Sequence, residues 1–193
     1  MTGAGAANSS PAPHDFYADH PTSSCNLIIG DKTLKVSSEL LGMHSHFFRS
    51  LFFKANPNKG GENGGEDNEG TPNLIRTEIK DVRLDNVKED EVIELLNIIY
   101  PSDHPITDHN VKFIIELADK YLFNVVLHEC EQFLRSGSKL NKEDRLILAD
   151  KYHLCDLADS IVKELSKQEI QALVSLKLND RTTKAMVKHL SSQ

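Results

Sequence analysis

At 193 residues the chain has room for one domain, or for one domain with a helical extension. A hydrophobic fraction of 39% is enough for a core, and 26% charged residues with a formal charge of -7 describe an ordinary solvated surface. An acidic chain without a basic stripe is a poor nucleic-acid binder, because such affinity comes mainly from neutralising phosphates.

Residues 1–22 are rich in Ala, Ser, Gly and Pro and read as a mobile N-terminal tail. Leu27-Ile28-Ile29 and Leu34-Lys35-Val36 flank Gly30-Asp31-Lys32-Thr33, a hairpin signature. Ser37 or Ser38 can cap a following helix that carries Leu40, Leu41, His44, Phe47, Phe48, Leu51 and Phe52 at helical spacing. That apolar set is too broad for one stripe, so the helix is buried on two sides or covered by a partner chain. Residues 55–73 are a Gly, Asn and Glu run bounded by prolines. Such a composition buries too little apolar surface to offset chain entropy, so it reads as a disordered insertion.

Ile75, Thr77 and Ile79 alternate as a strand should, and Val82 follows. Asn86 with Glu89 resembles a capping box before the helix bearing Val92 to Ile99, which Pro101 ends. Thr107 or Asp108 opens the next helix, and the remainder reads as helical, with a second capping box at Ser166 and Glu169. Within it the run Leu117-Ala118-Asp119-Lys120-Tyr121 recurs as Leu148-Ala149-Asp150-Lys151-Tyr152. Apolar pairs continue in register beyond it: Phe123 with Leu154, Val126 with Leu157, Cys130 with Ile161, Leu134 with Leu165. The unit is a helical hairpin with Tyr at its corner, and stacked hairpins suit a binding scaffold more than a catalytic pocket.

No catalytic, cofactor-binding or metal constellation stands out. His44 and His46 are two apart on an expected helix and so face different ways. Asp103-His104 and Asp108-His109 are explained by capping and solvation. Cys25, Cys130 and Cys155 are far apart, include no Cys-x-x-Cys pair, and read as small core residues in a reducing compartment. The Gly60 to Gly70 run lacks the Lys-Ser/Thr of a phosphate loop. Residues 1–19 contain no basic region followed by an apolar run, and no stretch approaches the roughly 20 apolar residues of a membrane span. An intracellular protein of cytoplasm or nucleus is expected, with no membrane and no nucleic-acid partner.

These elements in this order resemble the BTB/POZ fold followed by a helical extension of the three-box or BACK type. Four stretches carry the resemblance: Ser45-x-x-Phe48-x-x-Leu51-Phe52, Ile79-x-x-Val82, Leu95-x-x-Ile98-Ile99-Tyr100-Pro101, and Glu116-Leu117-Ala118-Asp119-Lys120-Tyr121. Arg145-Leu146-x-Leu148-Ala149-Asp150-Lys151-Tyr152 fits the extension, and in detail the chain is similar to the BTB half of MATH–BTB proteins. The resemblance implies an α+β fold, a small sheet flanked by helical hairpins over residues 23–136, then an all-α extension over 137–193. It also implies a non-enzymatic adaptor that homodimerises, or heterodimerises with other BTB proteins, through Leu40, Met43 and Phe47. The implied further partner is the cullin-3 ubiquitin-ligase scaffold, the alternative being a cullin-independent scaffold or assembly protein. Three family features are absent. The family's Asp at the head of the first main strand falls on Ser24, and its basic residue before the first long helix falls on Ser38. The apolar-x-Glu of the cullin contact falls on the candidate cullin-facing residues Asn56, Pro57 and Asn58.

Overall fold

The computed structural model describes residues 14–55, 74–102, 104–173 and 175–191. Strands β1 (Cys25–Ile29) and β2 (Lys32–Val36) pair antiparallel with Ile29 opposite Lys32, so Gly30 and Asp31 alone make the turn. Gly30 sits at φ 59°, a left-handed conformation that its missing Cβ makes inexpensive. Alternation buries Cys25, Leu27 and Ile29 from β1 and Leu34 and Val36 from β2 on one face. β5 (Asp81–Arg83) adds parallel to β1, giving the sheet order β2-β1-β5.

A second, two-stranded sheet pairs β3 (Phe53–Ala55) with β4 (Leu74–Arg76), Ala55 opposite Leu74. Ala55 is therefore in a strand rather than in the expected insertion, and 56–73 lie outside the described residues. The strand expected through Ile75, Thr77 and Ile79 to Val82 is two short strands in different sheets. Thr77 stays with the first of them: its N–H donates to Phe52 O at 2.7 Å, one step on in the β3–β4 register, and its hydroxyl to Leu51 O at 3.0 Å, while β5 pairs with β1.

The single helix expected through Leu40 to Phe52 is likewise two, α1 (Ser38–His44) and α2 (His46–Phe52). Ser45 between them is extended, at φ -129° and ψ 124°. Its N–H closes α1 on Leu41 O, and its hydroxyl oxygen accepts the Phe48 N–H at 3.1 Å to open α2. The same hydroxyl donates to Tyr121 O at 2.6 Å. Ser37 caps α1 as expected, accepting the Leu40 N–H at 3.1 Å.

Helix α3 (Glu89–Ile99) has no capping box. Lys88 is its N-cap, without a side-chain bond, and Glu89 is its first residue, too early to reach back. Asn86 lies at φ 56°, and its carbonyl and that of Asp85 accept Lys120 Nζ at 3.4 and 2.7 Å. Tyr100, directly before Pro101, ends the helix at ψ 155°.

The chain divides into two compact units, Met1–Pro105 with Lys120–Asn124, and Ile106–Asp119 with Val125–Gln193. The first holds both sheets and α1 to α3 around Leu27, Leu34, Leu41, Phe48, Phe52 and Leu96. Part of the expected tail belongs to this packing. Phe16 is only 2% exposed, its carbonyl accepts the Lys35 N–H at 2.7 Å, and its ring meets Tyr100 edge-on at 4.9 Å. A composition of small residues conceals this one large ring; residues 1–13 lie outside the described residues.

The second unit holds most of α4 (Val111–Lys120) and α5 (Asn124–Gln132), the latter running into a π-helical turn at Phe133–Gly137. Helices α6 (Lys142–Lys151), α7 (Cys155–Glu164), α8 (Lys167–Leu173) and α9 (Asp180–Ser191) follow. Val111 N–H donates to Thr107 O, so the turn at Thr107 starts α4. The Asp108 carboxylate instead accepts Ser138 Oγ and the Lys139 N–H, which lowers its pKa from the ordinary value.

The internal repeat is a repeat of backbone conformation. Each copy ends a helix at Asp-Lys-Tyr, then takes one left-handed residue, Leu122 at φ 55° and His153 at φ 56°. Each then starts the next helix two residues on, and each Lys ammonium sits over the following Tyr ring, at 5.4 and 4.8 Å. The capping box at Ser166 is present in full: Glu169 accepts the Ser166 N–H at 2.7 Å and Ser166 Oγ accepts the Glu169 N–H at 3.3 Å.

Candidate interaction surface

Helix α1 positions the first two of the expected interface residues. Leu40 and Met43 are three apart on it and so share a face. Leu40 is half-buried, whereas Met43 is 80% exposed, the most exposed large apolar side chain among the described residues. Phe47 is on α2 because of the break at Ser45, and its half-buried ring meets Phe48 at 5.1 Å and Tyr121 at 5.5 Å. It is therefore shared between the core and the surface. Asn56, Pro57 and Asn58 lie outside the described residues.

The start of α1 is fixed from several directions. Ser37 N–H donates to Tyr100 Oη at 2.8 Å, which ties α1 to the end of α3. Ser24 and Ser38, the positions where the family's charged pair is missing, bind each other instead. Their hydroxyl oxygens are 3.0 Å apart, and Ser24 Oγ accepts the Ser38 N–H at 2.9 Å. Replacing both charges together leaves neither buried alone, the costly outcome. Ser24 also donates to Glu39 at 2.7 Å, and Arg76 bridges Glu39 Oε1 at 3.2 Å and Ser24 O at 2.6 Å. Burial raises the Glu39 pKa, but the bonds from Ser24 and its own amide, with the Arg76 charge, outweigh it and hold the carboxyl below its ordinary value. An ion pair thus persists here, but on an exposed rim where such a pair is worth about 0–1 kcal/mol.

A polar groove of about 470 Å³ lies beside β1, but Lys35 there is bound to Asp19 at 2.7 Å and Arg76 to Glu39. Among the described residues no group of three His, Cys, Asp or Glu side chains could hold a metal ion. His44 ends α1 and His46 begins α2, on either side of the break. Cys25 and Cys130 are buried, which pushes each thiol up to about 12, while Cys155 is half-buried. No helix among the described residues is long and apolar enough to cross a membrane.

Sequence reasoning missed the Tyr100–Ser37 bond, which joins residues 63 apart, and the seat of Phe16. The only sequence signal for the latter was an aromatic pair, Phe16-Tyr17, inside a stretch otherwise poor in apolar bulk.

The chain is similar to known proteins along most of its length. "BTB and MATH domain-containing protein 38" of Caenorhabditis elegans is 31% identical over 169 residues, 86% of this chain and 38% of that protein. "BTB and MATH domain-containing protein 36" of the same organism is 27% identical over 143 residues, 74% of this chain and 39% of its own. The chain therefore spans well under half the length of these relatives. The solved BTB domain of human gigaxonin aligns at 13% identity and a TM-score of 0.40, over 58% of this chain and 77% of that one. The BTB/POZ domain profile matches residues 15–138, from the Phe16 seat to the π-helical turn, and the chain belongs to the BTB/POZ domain family, a module of protein–protein interaction.

Proposed function

We propose that the protein is a non-enzymatic intracellular adaptor that homodimerises through α1, with Leu40 and Met43 in the interface and Phe47 at its edge. Met43 carries this reading. A thioether left 80% exposed beside a half-buried leucine, on a helix pinned at its start by Ser37 and Tyr100, is an apolar surface without a cover in the single chain. In the same reading residues 137–193 are a three-box or BACK-like extension that presents its helices to other proteins.

The proposal extends to cullin-3 ubiquitin ligases, which the protein serves as adaptor or modulator. Asn56-Pro57-Asn58 offers neither the apolar anchor nor the charge of the family's contact, and the loss of one anchor can cost a few kcal/mol of binding. Cullin-3 binding by this chain alone is thus expected to be weak or absent. A heterodimer with an intact MATH–BTB partner would restore recruitment. The test is a calorimetric titration of the isolated protein with a cullin-3 N-terminal fragment. Sub-micromolar affinity removes the modulator reading in favour of a plain ligase adaptor. No heat from a protein that is a clear homodimer favours the second reading, a cullin-independent scaffold, which the same Asn-Pro-Asn stretch supports.

A further inference from the structure

The first unit is strapped by residues 14–19, and the strap ends in a chemical handle. Its anchor is Phe16, seated as described, with the Lys35–Asp19 ion pair at 2.7 Å beyond it. Its second anchor is Tyr17, whose hydroxyl donates to Glu89 at the start of α3. The chain has four tyrosines. Tyr100, Tyr121 and Tyr152 are 7%, 6% and 8% exposed, whereas Tyr17 is 50% exposed. In the folded chain only Tyr17 offers its hydroxyl to an enzyme, and Asp15 and Asp19 flank it in sequence.

We propose that Tyr17 is a phosphoacceptor, and that its modification by a nucleoside-triphosphate-dependent tyrosine kinase unlatches the strap. In that step Tyr17 Oη attacks the γ-phosphorus. A new O–P bond forms, the bond to the nucleoside diphosphate breaks, and the phenolic proton passes to the kinase's base. The hydroxyl that donated to Glu89 is then gone, and a group of charge about -1.5 to -2 stands in its place.

The surroundings decide the direction. A helix N-terminus ordinarily attracts phosphate. Here the first turn of α3 already carries Glu89, Asp90 and Glu91, and Asp15 accepts the Tyr17 N–H at 2.9 Å. The nearby cations are engaged, Lys88 with Glu91 at 2.7 Å and Lys35 with Asp19. Glu89 and Asp15 act directly on the new charge, in a helix turn that is acidic throughout, so like-charge repulsion prevails and the strap leaves. His14, whose ring lies 4.7 Å from Phe16, 4.8 Å from Tyr100 and 5.2 Å from His20, leaves with it.

Departure uncovers Tyr100, and Tyr100 is one bond from the start of α1. Its hydroxyl holds Ser37 N–H, and Ser37 Oγ holds the Leu40 N–H. Strap release therefore loosens the first turn of α1, and this consequence for association rests on the dimer reading above.

The test uses the full chain with Mg-ATP and a broad-specificity tyrosine kinase. Peptide mass spectrometry locates the phosphate, amide exchange reads the latch, and sedimentation reads association. Expected are phosphate on Tyr17 and not on the other three tyrosines, at least tenfold faster exchange at the Lys35 and Ser37 amides, and no incorporation into Tyr17→Phe. Weaker dimerisation should accompany these changes. Phosphorylated Tyr17 with unchanged Lys35 exchange overturns the proposal, as does a kinase-treated chain with no phosphate at Tyr17. Faster exchange with an unchanged dimer keeps the latch and removes its coupling to association, whereas a chain that is monomeric before treatment removes the dimer reading alone.

Discussion

Ser45 shows how much one side chain can organise. Its backbone ends α1, its oxygen starts α2, and its proton occupies the Tyr121 carbonyl, all at 1% exposure. Ser45→Ala removes a helix cap, about 1 kcal/mol, and leaves a buried carbonyl unpaired, about 1–3 kcal/mol more. A loss of roughly 2–4 kcal/mol in urea unfolding is expected, and a loss below about 1 kcal/mol would mean that water replaces the hydroxyl. His153 is the complementary case. It is exposed and left-handed at φ 56°, where an L-residue costs about 1–2 kcal/mol. His153→Gly should raise stability by about 0.5–1 kcal/mol, the rest of the relief being offset by glycine's greater unfolded freedom, and His153→Val should lower it. Equal melting of all three proteins would contradict the assigned conformation.

At the scale of elements, the capping box opening α8 is a titratable joint. The Ser166 amide and hydroxyl, with Lys142 at 3.2 Å, pull Glu169 from a carboxylate's ordinary 4.5 to about 2. A carboxyl whose folded value is depressed contributes stability that is fully present above the unfolded value and is lost as pH falls through the folded one. The window is therefore about pH 4.5 down to about 2. Glu169→Gln should lower stability at neutral pH and flatten its pH dependence in that window. The two proteins should converge near pH 2 in chemical denaturation, and parallel curves would show that Glu169 carries no linkage. Lys142 ties this joint to the preceding hairpin, since its Nζ also donates to Glu164 O at 2.9 Å.

For the whole molecule the decisive quantity is association. Met43→Asp and Leu40→Asp both put a charge into the proposed interface, but they differ in the single chain. Met43 is 80% exposed, so its replacement should leave the melting of a monomer nearly unchanged. Leu40 is half-buried, so its replacement also costs fold stability. Sedimentation at tens of micromolar should show a wild-type dimer, a dissociation free energy of roughly 7 kcal/mol or more, with both variants shifted toward monomer. A wild-type monomer at that concentration rules out the interface.

What the sequence by itself determined is local. The Gly30-Asp31 turn, the Ser37 cap, the Ser166–Glu169 box and the repeated Asp-Lys-Tyr corner are each decided within a few residues, where turn chemistry and capping act without the rest of the chain. Met43 is not in the apolar set at helical spacing, and only the family resemblance places it beside Leu40. What only the tertiary structure decided depends on distant partners. Helical periodicity through residues 40–52 favours one helix, but the Tyr121 carbonyl, 76 residues away, needs a donor that Ser45 supplies from an extended backbone. Ile75, Thr77 and Ile79 alternate like one strand, but β3 claims the start of the stretch and β1 claims Asp81 to Arg83 after it, which splits it. Phe16 looked like part of a tail until β2 and Tyr100 supplied its seat. In each case a buried bond or ring from another element outweighs a local preference of a few tenths of a kcal/mol per residue, and no local pattern announces which element will supply it.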